Sequence, residues 1–238
     1  MFASPASILV LLAFGALVVG AIWLVRRDAA RRHHEEHARW FEARARGWHY
    51  QAAEPAGGFT LRGENQGIQW EFAHIANDSD SPSRIRWSTR AITTRGPAFQ
   101  LLGRKTYEIL KGGVGRALLK LARWADKTGG GALALAEHEF VSQAQDIPAG
   151  SAAFRRTFAL IGPNPDFARL IDAETEPLLT SWPRSVGRHF RPELHLSAHL
   201  DGQGLRVELA APLTDFAAIE QVVRLGLALT RRARQVRR

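Results

Sequence analysis

Residues 194–209 read Leu-His-Leu-Ser-Ala-His-Leu-Asp-Gly-Gln-Gly-Leu-Arg-Val-Glu-Leu. Apolar and polar residues alternate on both sides of Asp201-Gly202, as in a half-buried antiparallel hairpin with a tight turn. The pattern predicts strands over Leu194–Leu200 and Leu205–Leu209. Just downstream, Phe216, Ile219, Val223 and Leu227 recur at helical spacing. They predict a closing amphipathic helix that starts near Thr214 or Asp215. A hairpin followed by such a helix points to an α+β domain, with helices packed on an antiparallel sheet.

Working upstream, Phe154 to Leu160 predicts a strand. Asn164-Pro165-Asp166 predicts a helix start, with Asn as N-cap, Pro at the first helical position and Asp in the first turn. Phe167, Leu170 and Ile171 form that helix's apolar face. Pro177 should break or kink it, with a further turn through Leu178, Leu179 and Trp182.

The first half is β-rich at its start. Trp48 to Gln51, Phe59 to Arg62, Ile68 to Phe72 and Ile85 to Thr89 read as strands, with turn-forming residues at 63–67 and a loop at 77–83. Residues 97–127 lean helical, and Gly129-Gly130-Gly131 marks a flexible joint. Asn65-Gln66-Gly67-Ile68-Gln69-Trp70-Glu71-Phe72 echoes Gly202-Gln203-Gly204-Leu205-Arg206-Val207-Glu208-Leu209. The echo fits a remnant of duplication, but such a pattern is more often what any exposed antiparallel hairpin looks like.

The chain has 238 residues, 45% hydrophobic residues and no cysteine. This is enough to bury a core, and it excludes disulfides, thiolate metal sites and cysteine nucleophiles. The net charge of +9 is unevenly placed. Residues 26–46 carry +3 and residues 231–238 carry +5, which leaves +1 for 47–230. A nucleic-acid-binding domain carries its positive charge on the folded surface. A nearly neutral core therefore disfavours nucleic acid and favours arginines close to an anionic membrane.

Phe2 to Val25 is a run of 24 residues without a charge. As a helix it spans roughly 36 Å, more than the hydrocarbon core of a bilayer requires. Trp23 suits the interface. Arg26, Arg27, Arg31 and Arg32 follow, and no Lys or Arg precedes the run. The positive-inside rule then places the N-terminus outside and the domain in the cytoplasm. A cleaved signal peptide is the competing reading. Val19-Gly20-Ala21 would be its cleavage site, but a basic n-region is missing.

The organisation expected is an anchor over 1–27, a helical stalk over 28–47, an α+β domain over 48–230 and a basic tail over 231–238. The alternative divides the domain into halves, 48–128 and 132–230. In the stalk, Asp28/Arg32, Glu35/Arg39 and Glu42/Arg46 are acid-then-base pairs at i,i+4, and Gly47 suits the position after its last turn.

Chemical motifs are sparse. His33-His34-Glu35-Glu36-His37 matches the inverted zinc-peptidase pattern, but it lies in a charged stalk that offers neither a third ligand nor a dry cleft. His195 and His199, four apart in a strand, lie about 13 Å from each other, too far to share a metal. Gly103-Arg104-Lys105-Thr106 departs from the phosphate-binding loop because Arg104 separates glycine from lysine and Ala98 stands where the first glycine belongs. No catalytic, cofactor or metal residue is assigned.

Phe41 to Phe72, with Arg46-Gly47-Trp48-His49-Tyr50 and the hairpin, resembles the start of the soluble part in a class of uncharacterised bacterial single-pass membrane-anchored proteins. Phe154 to Leu229 resembles the same class. Together the two stretches cover about half of the chain. The resemblance implies a location in the bacterial inner membrane, with no assigned activity, and it transfers no functional residue.

The expectation is a non-enzymatic, membrane-tethered interaction or accessory module, with a membrane-anchored hydrolase as the alternative. Its partners are the lipid bilayer and, through the tail, anionic lipid head groups; the protein partner is open. The residues expected at the membrane surface are Arg26, Arg27, Arg31, Arg32, Arg231, Arg232, Arg234, Arg237 and Arg238.

Overall fold

The computed structural model describes residues 38–53, 58–75, 83–113, 140–141, 143–183, 190–211, 213 and 215–237. The chain divides into two units, Met1–Gly47 and Trp48–Arg238. In the first, residues 38–45 form helix α1. Arg46 pairs with Glu42 across one turn, and Gly47 at φ +69° ends the helix in the left-handed conformation that glycine tolerates best. The anchor segment 1–27 and His33 to His37 lie outside the described residues. Among the described residues, no helix is long and apolar enough to cross a membrane.

The second unit is built on one nine-stranded sheet. Its strands are β1 (His49–Ala53), β2 (Gly58–Asn65), β3 (Ile68–Ile75), β4 (Arg84–Thr89), β5 (Phe99–Gly103), β6 (Gln145–Ile147), β7 (Phe158–Gly162), β8 (Leu196–Asp201) and β9 (Gly204–Leu209). They lie in the order β1-β2-β3-β4-β9-β8-β5-β7-β6, and every neighbouring pair is antiparallel. Among the described residues, its helices are α2 (Arg104–Lys111), α3 (Ala152–Thr157), a 3-10 helix (Pro165–Leu170), α4 (Thr175–Thr180), α5 (Pro192–His195) and α6 (Phe216–Val236).

The expected α+β class with an antiparallel sheet is what the structure shows. Strands from both sides of the Gly129–Gly131 run interleave in it: β4 pairs with β9, and β5 lies between β8 and β7. The halves 48–128 and 132–230 are therefore not separate sheets. The echoing hairpins also turn differently. In the first, Asn65 faces Ile68 and the turn is Gln66-Gly67, both at positive φ. In the second, Asp201 faces Gly204 and the turn is Gly202-Gln203.

Alternation places one set of side chains against α6. Phe59, Leu61, Phe72, Ile85, Trp87, Leu205, Val207, Leu209, Ala198 and Leu200 are essentially fully buried. The buried residues of α6 extend around the helix, from Ile219 and Val223 to Leu225 and Leu229. It packs against the sheet as well as α4 and the 3-10 helix. Gln221 fastens it to α4, with Nε2 donating to the carbonyls of Leu178 and Ser181 at 2.8 Å each. On the other face of the sheet, α2 covers the β5–β7 end. There Leu102, Ala159 and Ile161 pack with Tyr107, Val141 and Ala144.

Four local expectations are corrected. Residues 152–157 are helical, because Ser151 caps them by accepting from the Phe154 amide at 3.1 Å; the strand starts only at Phe158. Residues 99–103, within a stretch that leaned helical, form β5, since Phe99 and Leu101 are drawn into the sheet core. Pro177 neither breaks nor kinks the segment. It sits in the first turn of α4, where its missing N–H costs nothing. The helix from Asn164 instead ends at Leu170, as a 3-10 helix. Asp172 starts the next one by accepting from the amides of Glu174 and Thr175 at 3.1 and 2.9 Å. The last correction is at Pro192–His195, a helical turn with proline at its first position, so β8 begins at Leu196.

Candidate functional site

The loop between β4 and β5 is held from several sides. Thr89 Oγ1 donates to the Gln69 carbonyl at 2.5 Å and accepts from the Ala91 amide at 3.1 Å. The Thr94 amide bonds the Asp201 carbonyl at 3.0 Å, and the Ala98 amide bonds the Leu200 carbonyl at 2.8 Å. Gly204, at φ +116°, lies so close to this loop that a Cβ there would come within 3.0 Å of the Thr89 carbonyl carbon. These contacts fix where Arg90, Ala91, Ile92 and Thr93 stand.

The C-terminal turns of α6 reach this loop. Arg234 donates from Nε and Nη2 to the Ala91 carbonyl at 3.3 and 3.1 Å. Arg237 donates from Nη1 to the Thr93 carbonyl. Between helix and loop lies a cleft of about 460 Å³, open to solvent and lined by Arg90, Ala91, Ile92, Thr93, Arg234 and Arg237. Three guanidinium groups line it, with no carboxylate among the lining residues.

The expected surface arginines therefore separate. Residues 231–236 are the last turns of α6, continuous with the domain. Arg231 pairs with Glu174 at 2.6 Å, and Arg232 pairs with Asp172. Arg234 and Arg237 go to the cleft. Arg26, Arg27, Arg31, Arg32 and Arg238 lie outside the described residues. At Asp172, burial opposes ionisation, yet the Thr175 amide and hydroxyl, the Arg232 guanidinium and the Glu174 amide together hold its carboxyl below the usual aspartate range.

The polar face of the sheet is a second grouping. Arg62 bonds Glu71 and Arg86 bonds Glu208, each at 2.8 Å across neighbouring strands. Arg206 bonds Asp201. His199 stands opposite Arg206 on β9 and Gln100 on β5. Burial, followed by the Arg206 charge, pushes its imidazole pKa down, against the opposing pull of Glu208 and Asp201. Among the described residues, His199 Nε2 and Arg206 Nε are buried without a hydrogen-bond partner.

Ser197, His199 and Asp201 stand in file on this face, about 6.6 Å apart from one to the next. They do not make a triad. Asp201 accepts from the Gln203 amide at 2.7 Å and from Arg206, so its carboxylate is engaged by its own turn and does not orient the imidazole. His195 lies off this strand and stacks on Phe190, with ring centroids 5.9 Å apart. The structure thus puts His195 and His199 in different elements.

Arg104 starts α2 directly after β5. The space a ligand phosphate would need beside Gly103 is filled by Glu193, whose carbonyl carbon would be 2.8 Å from a Cβ there. Arg104 itself reaches Asp146 and the carbonyls of Arg155 and Phe158. Among the described residues, no three His, Cys, Asp or Glu side chains converge as a metal site. Comparison of the chain with protein-family models, with curated proteins and with solved structures finds no match.

The cleft was not readable in the sequence. Its lining residues come from 90–93 and 234–237, and the only local signal was the arginine run.

Proposed function

We propose that this chain is a non-enzymatic interaction or accessory module tethered to the bacterial inner membrane, N-terminus outside and domain cytoplasmic. The tether reading is supported by the uncharged run Phe2 to Val25 and the arginines that follow it. The module reading is carried by the sheet's polar face. Of its carboxylates, Glu64, at the hairpin end of β2, accepts from Gln69 at 3.5 Å, and Glu71, Glu208 and Asp201 are each bound to an arginine. A carboxylate so held is a poor general acid or base. A broad face of interlocked charge is instead a preformed polar contact surface that discriminates partners by charge pattern.

Two measurements test this. Membranes are washed with alkaline carbonate and the chain is followed: retention in the pellet is expected, and release overturns the tether. A photo-crosslinking residue is then placed at Ser88, on the polar face, and at Arg156, on α3. A discrete adduct from position 88 and not from 156 is expected. Turnover of ester or phosphoester substrates that is lost in His199→Asn would replace the module by the hydrolase.

A further inference from the structure

We propose that the cleft between the end of α6 and the 90–93 loop binds a phosphate group, presented by an anionic phospholipid head group or by a small soluble phosphate compound. This names the ligand chemistry of the membrane-held module and rests on that reading only for the lipid source.

The charge distribution on α6 is the first argument. Arg231 and Arg232 are neutralised by Glu174 and Asp172. Among the described residues, Arg234 and Arg237 instead hydrogen-bond only to backbone carbonyls, which carry no net charge. Arg90, exposed at the end of β4, lines the same space. The cleft thus gathers three positive charges that its own lining does not neutralise. The carbonyl end of α6 opposes an anion with only about half a negative charge, so the arginines prevail.

Preorganisation is the second argument. A guanidinium has five N–H donors in a planar fork, suited to two phosphate oxygens at once. The Ala91 carbonyl holds Arg234 by Nε and Nη2, and the Thr93 carbonyl holds Arg237 by Nη1. These bonds fix the side chains and leave further donors on each for a ligand. The loop that supplies those carbonyls is itself pinned through Thr89, Thr94 and Ala98. Little ordering is left to be done when a ligand arrives. A cleft of about 460 Å³ has room for a head group, and its open side lets an acyl-chain-bearing ligand enter head first.

The test uses the full chain in neutral maltoside micelles and isothermal titration calorimetry. The probes are dioctanoyl phosphatidylglycerol, the same lipid without phosphate (dioctanoylglycerol), and soluble glycerol phosphate. Saturable binding of phosphatidylglycerol is expected, weakening as salt rises, and no binding of dioctanoylglycerol. Each arginine lost should weaken it about fivefold, so Arg234→Gln/Arg237→Gln should bind roughly 25-fold more weakly. Arg231→Gln/Arg232→Gln should stay within about twofold, because acids already neutralise those two side chains. Arg90→Glu should weaken binding as well. It leaves the Ala91 and Thr93 contacts in place, so its effect does not come from a damaged loop. Glycerol phosphate binding as tightly as the lipid keeps the site and makes its ligand a soluble phosphate compound; binding of the lipid alone makes it a head group. No binding of either, equal binding by the cleft variants, or equal binding of dioctanoylglycerol overturns the proposal. Carbonate extraction reports on the tether independently of all these outcomes.

Discussion

Gly226 of α6 lies flat against the indole of Trp87 on β4: a Cβ at 226 would come within 2.6 Å of the ring atom Cε2. Trp87 is fully buried. The helix can approach the middle of the sheet only because residue 226 has no side chain. One turn on, the buried Thr230 hydroxyl donates to the Gly226 carbonyl at 2.7 Å, while Trp87 Nε1 is buried without a hydrogen-bond partner among the described residues.

Gly226→Ala therefore sets two effects against each other. Alanine favours the helix by about 1 kcal/mol, but overpacking a rigid core costs typically 1–3 kcal/mol, and more when backbone and ring cannot both yield. Net destabilisation is expected in urea unfolding of the full chain. Trp87→Leu combined with Gly226→Ala should lose less than the two single losses added together. Additive losses would show that the helix has room to shift.

Gln221 ties α6 to the C-terminal end of α4 through two carbonyls. Gln221→Leu keeps the bulk and leaves one part-buried and one exposed acceptor without this donor, at a cost of about 1 kcal/mol. Measured stability within about 0.5 kcal/mol of wild type would mean that water replaces the amide.

Asp172 caps α4 and pairs with Arg232. Its folded pKa is lowered, so its contribution is fully present above the unfolded value near 3.9. It is lost as pH falls through the lower folded value. Asp172→Asn should be less stable than wild type at pH 7, with the gap closing below about pH 4. A gap that stays constant from pH 7 to pH 3 would remove Asp172 as the titrating group.

His199 should act in a higher window. Its folded pKa lies below the ordinary imidazole value of about 6.5, so the unfolded chain binds the proton more readily. The stability linked to neutral His199 is present above pH 6.5 and is lost as pH falls from there through the folded value. His199→Gln should unfold with less pH dependence between 7.5 and 5. The groups facing His199 are Arg206, Glu208, Asp201 and Arg86. With His199 kept, Arg206→Gln should raise the histidine's pKa by NMR titration, since the Arg206 charge is, after burial, the next cause of the depression.

Gly204 meets the Thr89–Arg90 backbone and has a φ that side chains rarely adopt. Gly204→Ala should push the 90–93 loop away from Arg234 and Arg237. Phosphate affinity should then fall although no arginine has been touched. Unchanged affinity would show that the loop does not position the cleft.

What the sequence determined by itself was local. Alternation at 59–62, 68–72, 85–89 and 205–209 identified strands because a sheet with one packed face needs a two-residue period. The α6 spacing and the Asn164-Pro165 cap were legible for the same reason: each depends on neighbours a few residues away. Tertiary structure decided the rest. It turned Phe99–Gly103 into an interior strand by giving it partners at 158–161 and 198–200. It merged both halves into one sheet, and it sorted four arginines of one helix end into two neutralised by acids and two gathered with Arg90 at a cleft. Those outcomes depend on which distant residues supply a hydrogen-bond edge or a countercharge. No short-range pattern carries that information, because the cooperating groups are separated by tens to more than a hundred positions in the chain and meet only once the sheet has closed.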